Sequence, residues 1–123
     1  MRRVILLRMK RLPGHEHAII PEEKLRYCLD PMHETGRHKA RMFRSALGIG
    51  LEDTPKLRHL IEIGISANQA VRVGDDQDGI ERWVVDWIVQ GRLSRLRLIT
   101  AWDLQVSYGR PRLVSCYLKK VKT

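Results

Sequence analysis

The sequence predicts an α+β fold, with amino-terminal helices packed on one face of a carboxy-terminal antiparallel sheet of about four strands. Apolar residues recur at helical spacing as far as Gly64 and alternate with polar residues from Gln69 onward. Helices followed by consecutive strands are typical of this fold class. A length of 123 residues suits one hydrophobic core, so we expect residues 1–123 to form a single domain.

Three helices are predicted in the first half of the chain. The first starts at Pro21, because proline at the first helical position followed by acidic residues favours a helix start, and it ends before Pro31. The second spans about residues 36–47, and the third has Thr54 as its N-cap. Each carries an apolar stripe at helical spacing: Leu25, Cys28 and Leu29; Ala40, Phe43 and Leu47; Leu57, Leu60, Ile61 and Gly64.

Strands are predicted where apolar and polar residues alternate. Val71 and Val73 lead into Asp75–Gly79, whose Asp-Gly ending indicates a hairpin, and Gly91 and Gly109 mark two further turns. Residues 18–20 predict a short strand, and residues 1–8 a short strand or arm. The side chains expected to face the core are Trp83, Val85, Trp87 and Val89; Leu96, Leu98, Thr100, Trp102 and Leu104; and Val114, Cys116 and Leu118.

Charge and cysteine content restrict the function. A formal net charge of +9 favours polyanionic partners, and the basic residues lie inside the predicted elements as well as at the ends. Cys28 and Cys116 form no C-x-x-C unit, so the spacing predicts two reduced core thiols rather than a zinc or redox motif. The chain lacks an apolar run of roughly 20 residues, so we expect no membrane span and a cytoplasmic location.

The second helix carries the most informative segment, residues 36–44. Its Lys39 lies at the border between the apolar stripe and the opposite face, which holds His38 and Arg41. A border lysine can bury its stem and present its ammonium to the neighbouring element, as a phosphate-binding residue would. The alternative is an ordinary solvated amphipathic helix.

Ser115 and Tyr117 point the same way from the last predicted strand. If they face Lys39 or His38, the cleft contains what a metal-independent ribonuclease needs: an acid, a base and fixed positive charge. Ordinary cross-strand hydrogen bonding is the alternative role of these two residues. The scattered histidines and aspartates lack metal-ligand spacing, so no metal and no cofactor are expected.

Four blocks in this order resemble a bacterial domain family of unassigned activity. They are residues 20–25, 36–43, 100–102 and 111–117. Members of that family occur as C-terminal domains of polymorphic toxins and beside antitoxins. The resemblance implies a toxin-like domain similar to the barnase, EndoU, colicin and RelE group of ribonucleases. The family's polar motif positions match Lys39, Arg112, Ser115 and Tyr117, and its packing positions match Phe43 and Trp102. The end of the last strand departs from the family, with Ser-Cys-Tyr-Leu in place of Thr-Ala-Tyr-Pro.

We therefore expect a small basic toxin that acts as a metal-independent endoribonuclease and is neutralised by an acidic antitoxin. The expected catalytic residues are His38, Lys39, Arg112, Ser115 and Tyr117, and the expected RNA-binding residues are Arg37, Arg41, Arg44 and Arg97. The antitoxin is expected on the helix around Arg37, Arg41 and Arg44. Two alternatives stay open: a non-catalytic nucleic-acid-binding module, and a phage or mobile-element interaction protein. The sequence does not distinguish RNA from DNA targets and leaves the oligomeric state open.

Overall fold

The computed structural model describes residues 10–75 and 78–121 and confirms the predicted α+β architecture. Its helices are α1 (Glu22–Leu29), α2 (Arg37–Met42), which continues into a π-helical turn (Phe43–Leu47), and α3 (Thr54–Ala67). Short 3-10 turns cover His15–His17 and Leu51–Asp53. In the described residues, no helix combines the length and the apolar character that crossing a membrane requires.

The four strands form one antiparallel sheet in the order β1-β2-β3-β4. They are β1 (Ala70–Asp75), β2 (Ile80–Gln90), β3 (Arg95–Gln105) and β4 (Arg110–Lys120). Each strand pairs with the next one in the sequence, as the two-residue alternation and the turn residues predicted. The prediction for residues 1–8 lies outside the described residues.

The helices cover one face of the sheet, and the other face carries most of the charged strand residues. Phe43 and Trp102 are among the largest fully buried side chains, as expected of packing positions. α3 approaches β2 closely because Gly64 has no side chain where the Trp87 ring lies against the helix. The buried tryptophans Trp83 and Trp102 therefore belong to the core, as their alternation predicted.

The inward face of β4 differs from the predicted one. Val114 is 40% exposed, whereas Leu113 is fully buried. The cause is a β-bulge: Ala101 pairs with Ser115 and Trp102 pairs with Leu113, so Val114 has no partner on β3. Side chains alternate between the two faces along a strand, so one extra residue shifts this alternation by one position. The residues before the bulge therefore point to the face opposite to the one that the pattern after the bulge predicts. The prediction was wrong for Leu113 and Val114, while Cys116 and Leu118 are buried as expected.

The outer edge of β4 faces the amino-terminal part of the chain. The strand predicted at residues 18–20 is a single parallel bridge: the Ile19 N–H donates to the Pro111 carbonyl, and the Leu113 N–H donates to the Ile19 carbonyl. Beyond this bridge, α1 and α2 pack beside the strand. The second half of the β4 edge therefore lies next to two helices that carry lysines.

The Glu22 carboxylate on α1 binds two side chains at the start of α3. Glu22 Oε2 accepts a 2.6 Å hydrogen bond from the Thr54 hydroxyl, and its Oε1 lies 3.3 Å from the Arg58 guanidinium. Thr54, predicted as the N-cap, is the first residue of α3, and Asp53 occupies the N-cap position. The Thr54 hydrogen bond is the largest cause lowering the pKa of Glu22, and Arg58 lowers it further.

We expect Glu22→Gln to lower the melting temperature at neutral pH. Because the folded-state pKa is lowered, the carboxylate stabilises the fold above its unfolded-state pKa, and that stabilisation is lost as the pH falls through the folded pKa. The difference between wild type and variant should be constant above about pH 5 and shrink in acid. Thermal melts of both proteins from neutral to acidic pH, with Glu23→Gln as control, measure this. A difference that persists unchanged in acid would contradict the assignment.

Candidate active site

The packing of α2 decides where Lys39 points. Ala40 and Phe43 are buried against the core, which leaves Lys39 at the border of the helix beside the edge of the sheet. Its Nζ lies 5.0 Å from the centre of the Tyr117 ring on β4. An ammonium at this distance from an aromatic ring is held by the ring's negative face. The fold thus brings together two residues that are far apart in the sequence.

A cavity of about 250 Å³ opens between the edge of β4 and the two neighbouring helices. We call it the edge cleft, and its lining residues are Lys24, Tyr27, Cys28, Lys39, Val114, Ser115 and Cys116. Ser115 follows the bulged residue Val114 and lines the edge cleft together with Lys39. Two ammonium groups and the hydroxyl of Ser115 line the cleft, and none of its lining residues is a carboxylate. Such a lining suits a phosphate group.

Arg97 lies on the open face of the sheet, where it is ion-paired. Its guanidinium lies 2.8 Å from the Asp86 carboxylate on the neighbouring strand. The hydrogen bond to Asp86 is the largest cause raising the pKa of Arg97, and the nearby Tyr117 phenol also raises it. Tyr117 therefore lies between two cations, Lys39 from α2 and Arg97 from β3.

Arg112 lies apart from the edge cleft. It lines a second cavity of about 430 Å³ near the β3–β4 turn, which we call the hairpin cavity, together with Ile19, Ile80, Asp103, Gln105, Tyr108 and Arg110. The Arg112 guanidinium is 3.7 Å from the Glu23 carboxylate, and both side chains are largely exposed. Arg110 is fixed more firmly, because its Nε donates to the His17 carbonyl at 3.1 Å.

The remaining predicted residues lie on the outer side of α2 and its continuation. His38 is exposed, and its side chain makes no hydrogen bond or ion pair within the described part of the chain. Arg41 is exposed as well, while Arg37 donates to the Glu34 carbonyl and Arg44 pairs with Glu52 at 3.1 Å. These side chains make a basic surface next to the edge cleft, and they do not line it.

Sequence reasoning missed two parts of this region. It treated Cys28 and Cys116 as separate core thiols, whereas their sulfurs lie 3.2 Å apart. The helical spacing of Lys24 and Cys28 places both on one face of α1 and could have indicated the lysine's position in the cleft. The sequence predicted a short strand at residues 18–20 but not its contact with β4, which places Ile19 in the wall of the hairpin cavity. Within residues 10–75 and 78–121, no group of three or more His, Cys, Asp or Glu side chains is placed to hold a metal ion.

The fold and the edge cleft define a small basic α+β domain with a cationic cleft beside the last strand. The chain belongs to DUF6883, a family described as a domain of unknown function, whose family model matches residues 11–120. No curated protein and no solved structure matches the chain. The family assignment covers nearly the whole chain, and the resemblance to toxin domains stays a prediction.

Proposed function

We propose that this protein binds RNA and cleaves it without a metal ion, using the 2′-hydroxyl of the substrate. The observation that carries the proposal is the meeting of Lys39, Tyr117 and Ser115 at the edge of β4, 5.0 Å separating the Lys39 ammonium from the Tyr117 ring. Fixed cations beside hydroxyl groups suit a phosphodiester, because charge builds up on the phosphate oxygens during cleavage. The net charge of +9 supports attraction of a polyanion to this site.

Each group has a defined role in this reaction. The substrate 2′-oxygen attacks phosphorus and gives up its proton to a base, the bond from phosphorus to the 5′-oxygen breaks, and an acid protonates the leaving oxygen. Lys39 stabilises the crowded phosphate, and Ser115 and Tyr117 orient it through hydrogen bonds. His38 precedes Lys39 on α2 and is exposed outside the edge cleft. It is the group proposed to exchange a proton with RNA bound across the cleft mouth, because histidine is the side chain best suited to exchange protons at neutral pH.

The hairpin cavity gives the neighbouring nucleotide a place to bind. Arg110 and Arg112 alternate on the same strand and both line the cavity, so they can hold a backbone phosphate. Tyr108 is 73% exposed at its border, where its ring can stack on a base. RNA would then run along β4 from the hairpin cavity to the edge cleft.

The proposal extends to the role of the protein in the cell. We propose that it acts on cytoplasmic RNA as a toxin, and that an acidic antitoxin neutralises it by covering the basic surface around Arg37, Arg41 and Arg44. Exposed guanidinium groups at these positions suit acidic side chains, and opposite net charges accelerate association.

The defining experiment compares an RNA oligonucleotide with the same oligonucleotide carrying a single 2′-deoxynucleotide at the cleaved position. We expect the RNA to be cut to a 2′,3′-cyclic phosphate in the presence of a chelator, because the attacking oxygen comes from the substrate. The deoxy-substituted strand should resist at that position, since it lacks the attacking group. Magnesium-dependent cutting of the deoxy position would contradict this mechanism.

The second candidate function is a non-catalytic RNA-binding module. It is favoured by the position of Arg112, which lies in the hairpin cavity, so the predicted catalytic set is divided between two cavities. Binding alone requires only the basic surface and an exposed aromatic ring. A shift in RNA mobility without fragmentation, at concentrations that saturate binding, would support this candidate and exclude the first.

A further inference from the structure

Two thiols from opposite ends of the chain meet in the wall of the edge cleft. Cys28 on α1 and Cys116 on β4 are 88 residues apart in the sequence, and their sulfurs are 3.2 Å apart. The Cys116 thiol donates to the Cys28 sulfur, and the Cys28 thiol is 3.4 Å from the Cys116 carbonyl oxygen. Both cysteines are free. The sulfurs need to approach by only about 1 Å to reach the length of a disulfide bond.

The cleft gives this pair both access and electrostatic activation. Each cysteine residue is nearly fully buried, 2% exposed for Cys28 and 0% for Cys116, and each lines the edge cleft, which is therefore the route by which a small oxidant would approach the pair. Lys24 and Lys39 line the same cleft. A thiol beside ammonium groups forms the reactive thiolate more readily than a thiol in a purely apolar core.

We propose that Cys28 and Cys116 form a redox site, at which hydrogen peroxide or a related small peroxide converts the two thiols into a disulfide that joins α1 to β4. The site goes beyond the proposed RNA cleavage and does not depend on it. Its product is a covalent bond in the wall of the edge cleft, between the helix that carries Lys24 and the strand that carries Ser115.

The two cysteines have different roles in the reaction. Hydrogen bonding from Cys116 is the largest cause lowering the pKa of Cys28, with Lys39 and Lys24 contributing, whereas the hydrogen bond to Cys28 and burial raise the pKa of Cys116. The Cys28 thiolate therefore attacks the peroxide: a sulfur–oxygen bond forms, the oxygen–oxygen bond breaks, and one water leaves. The Cys116 sulfur then attacks Cys28, the sulfur–sulfur bond forms, and the sulfenic oxygen leaves as a second water. The two sulfurs lose two electrons in total, and the peroxide gains them.

The test treats the purified, reduced protein with hydrogen peroxide, alkylates the remaining thiols and measures the intact mass. We expect the loss of two hydrogen atoms, no alkylation, and a peptide cross-link between residues 28 and 116 that a reducing agent reverses. Closing so long a loop should raise the melting temperature of the oxidised protein by at least about 5 °C. Cys28→Ser and Cys116→Ser should each abolish both changes.

Variants separate a redox site from two packed core thiols. Lys39→Met should slow disulfide formation about twofold to fivefold by removing a charge that favours the Cys28 thiolate, while the Lys56→Met control on α3 should leave the rate unchanged. The proposal is overturned if peroxide yields only sulfinic acid, only dimers linked between chains, or unmodified thiols in the folded protein. Because the readout is mass and not RNA cleavage, failure here leaves the proposed function untouched, and failure of RNA cleavage leaves this site untouched.

Discussion

Lys39→Ala is expected to lower the rate of RNA cleavage by roughly 10²- to 10³-fold, the usual effect of removing one group that stabilises transition-state charge. The ammonium lies beside the Tyr117 ring and lines the edge cleft, where the other ammonium group, Lys24, comes from α1. The fold should persist, because Lys39 is exposed and its neighbours Ala40 and Phe43 keep their packing. Single-turnover cleavage at saturating protein measures the chemical step separately from RNA affinity.

Two comparisons make this result specific to the site. Lys56→Ala removes an equal charge from an exposed position on α3 and should reduce cleavage by less than about twofold, the effect of general electrostatic attraction alone. His38→Gln retains hydrogen bonding but cannot carry a proton, so it should change the pH dependence of cleavage as well as its rate. Unchanged cleavage by a folded Lys39→Ala protein would remove the edge cleft from the mechanism.

The helices and strands could be predicted because the spacing of apolar residues within each segment depends on the local backbone geometry. Helical spacing of Leu57, Ile61 and Gly64 and strand alternation from Leu96 to Leu104 both report which side of an element is buried. The predicted boundaries of the helices were accurate to within a few residues. Thr54, for example, was predicted as the N-cap of the third helix and is the first residue of α3.

The site was less accessible to prediction, because it depends on contacts between distant segments. Strand alternation alone cannot reveal the bulge at Val114, which shifts the alternation of β4 by one residue and places Arg112 on the same face of the sheet as Ser115. The family resemblance assigns Lys39 and Arg112 to one set of polar motif positions. In the structure, Lys39 lines the edge cleft and Arg112 lines the hairpin cavity. Likewise, two cysteines 88 residues apart carry no sequence signal that their sulfurs meet.

Thr100→Val is expected to lower the free energy of unfolding by about 2–4 kcal/mol and the melting temperature by roughly 10 °C. Thr100 is fully buried at the centre of β3, where its hydroxyl donates to the Val85 carbonyl at 2.7 Å and accepts from the Trp102 indole at 2.8 Å. Valine keeps the shape of the side chain but removes both hydrogen bonds. The indole N–H would then be left buried without its partner, which costs more than the net gain of an ordinary hydrogen bond.

Thr100→Ser provides the matched control, because it retains the hydroxyl and removes only a methyl group. It should cost about 1 kcal/mol, the usual effect of deleting one buried methyl group. A double-mutant cycle of Thr100→Val with Trp102→Phe, followed by urea unfolding, isolates the indole bond. Trp102→Phe removes the orphaned donor, so the two substitutions together should cost less than the sum of their separate costs. If Thr100→Val is as stable as Thr100→Ser, or if the two costs simply add, then packing and not this hydrogen-bonded pair holds the centre of the sheet.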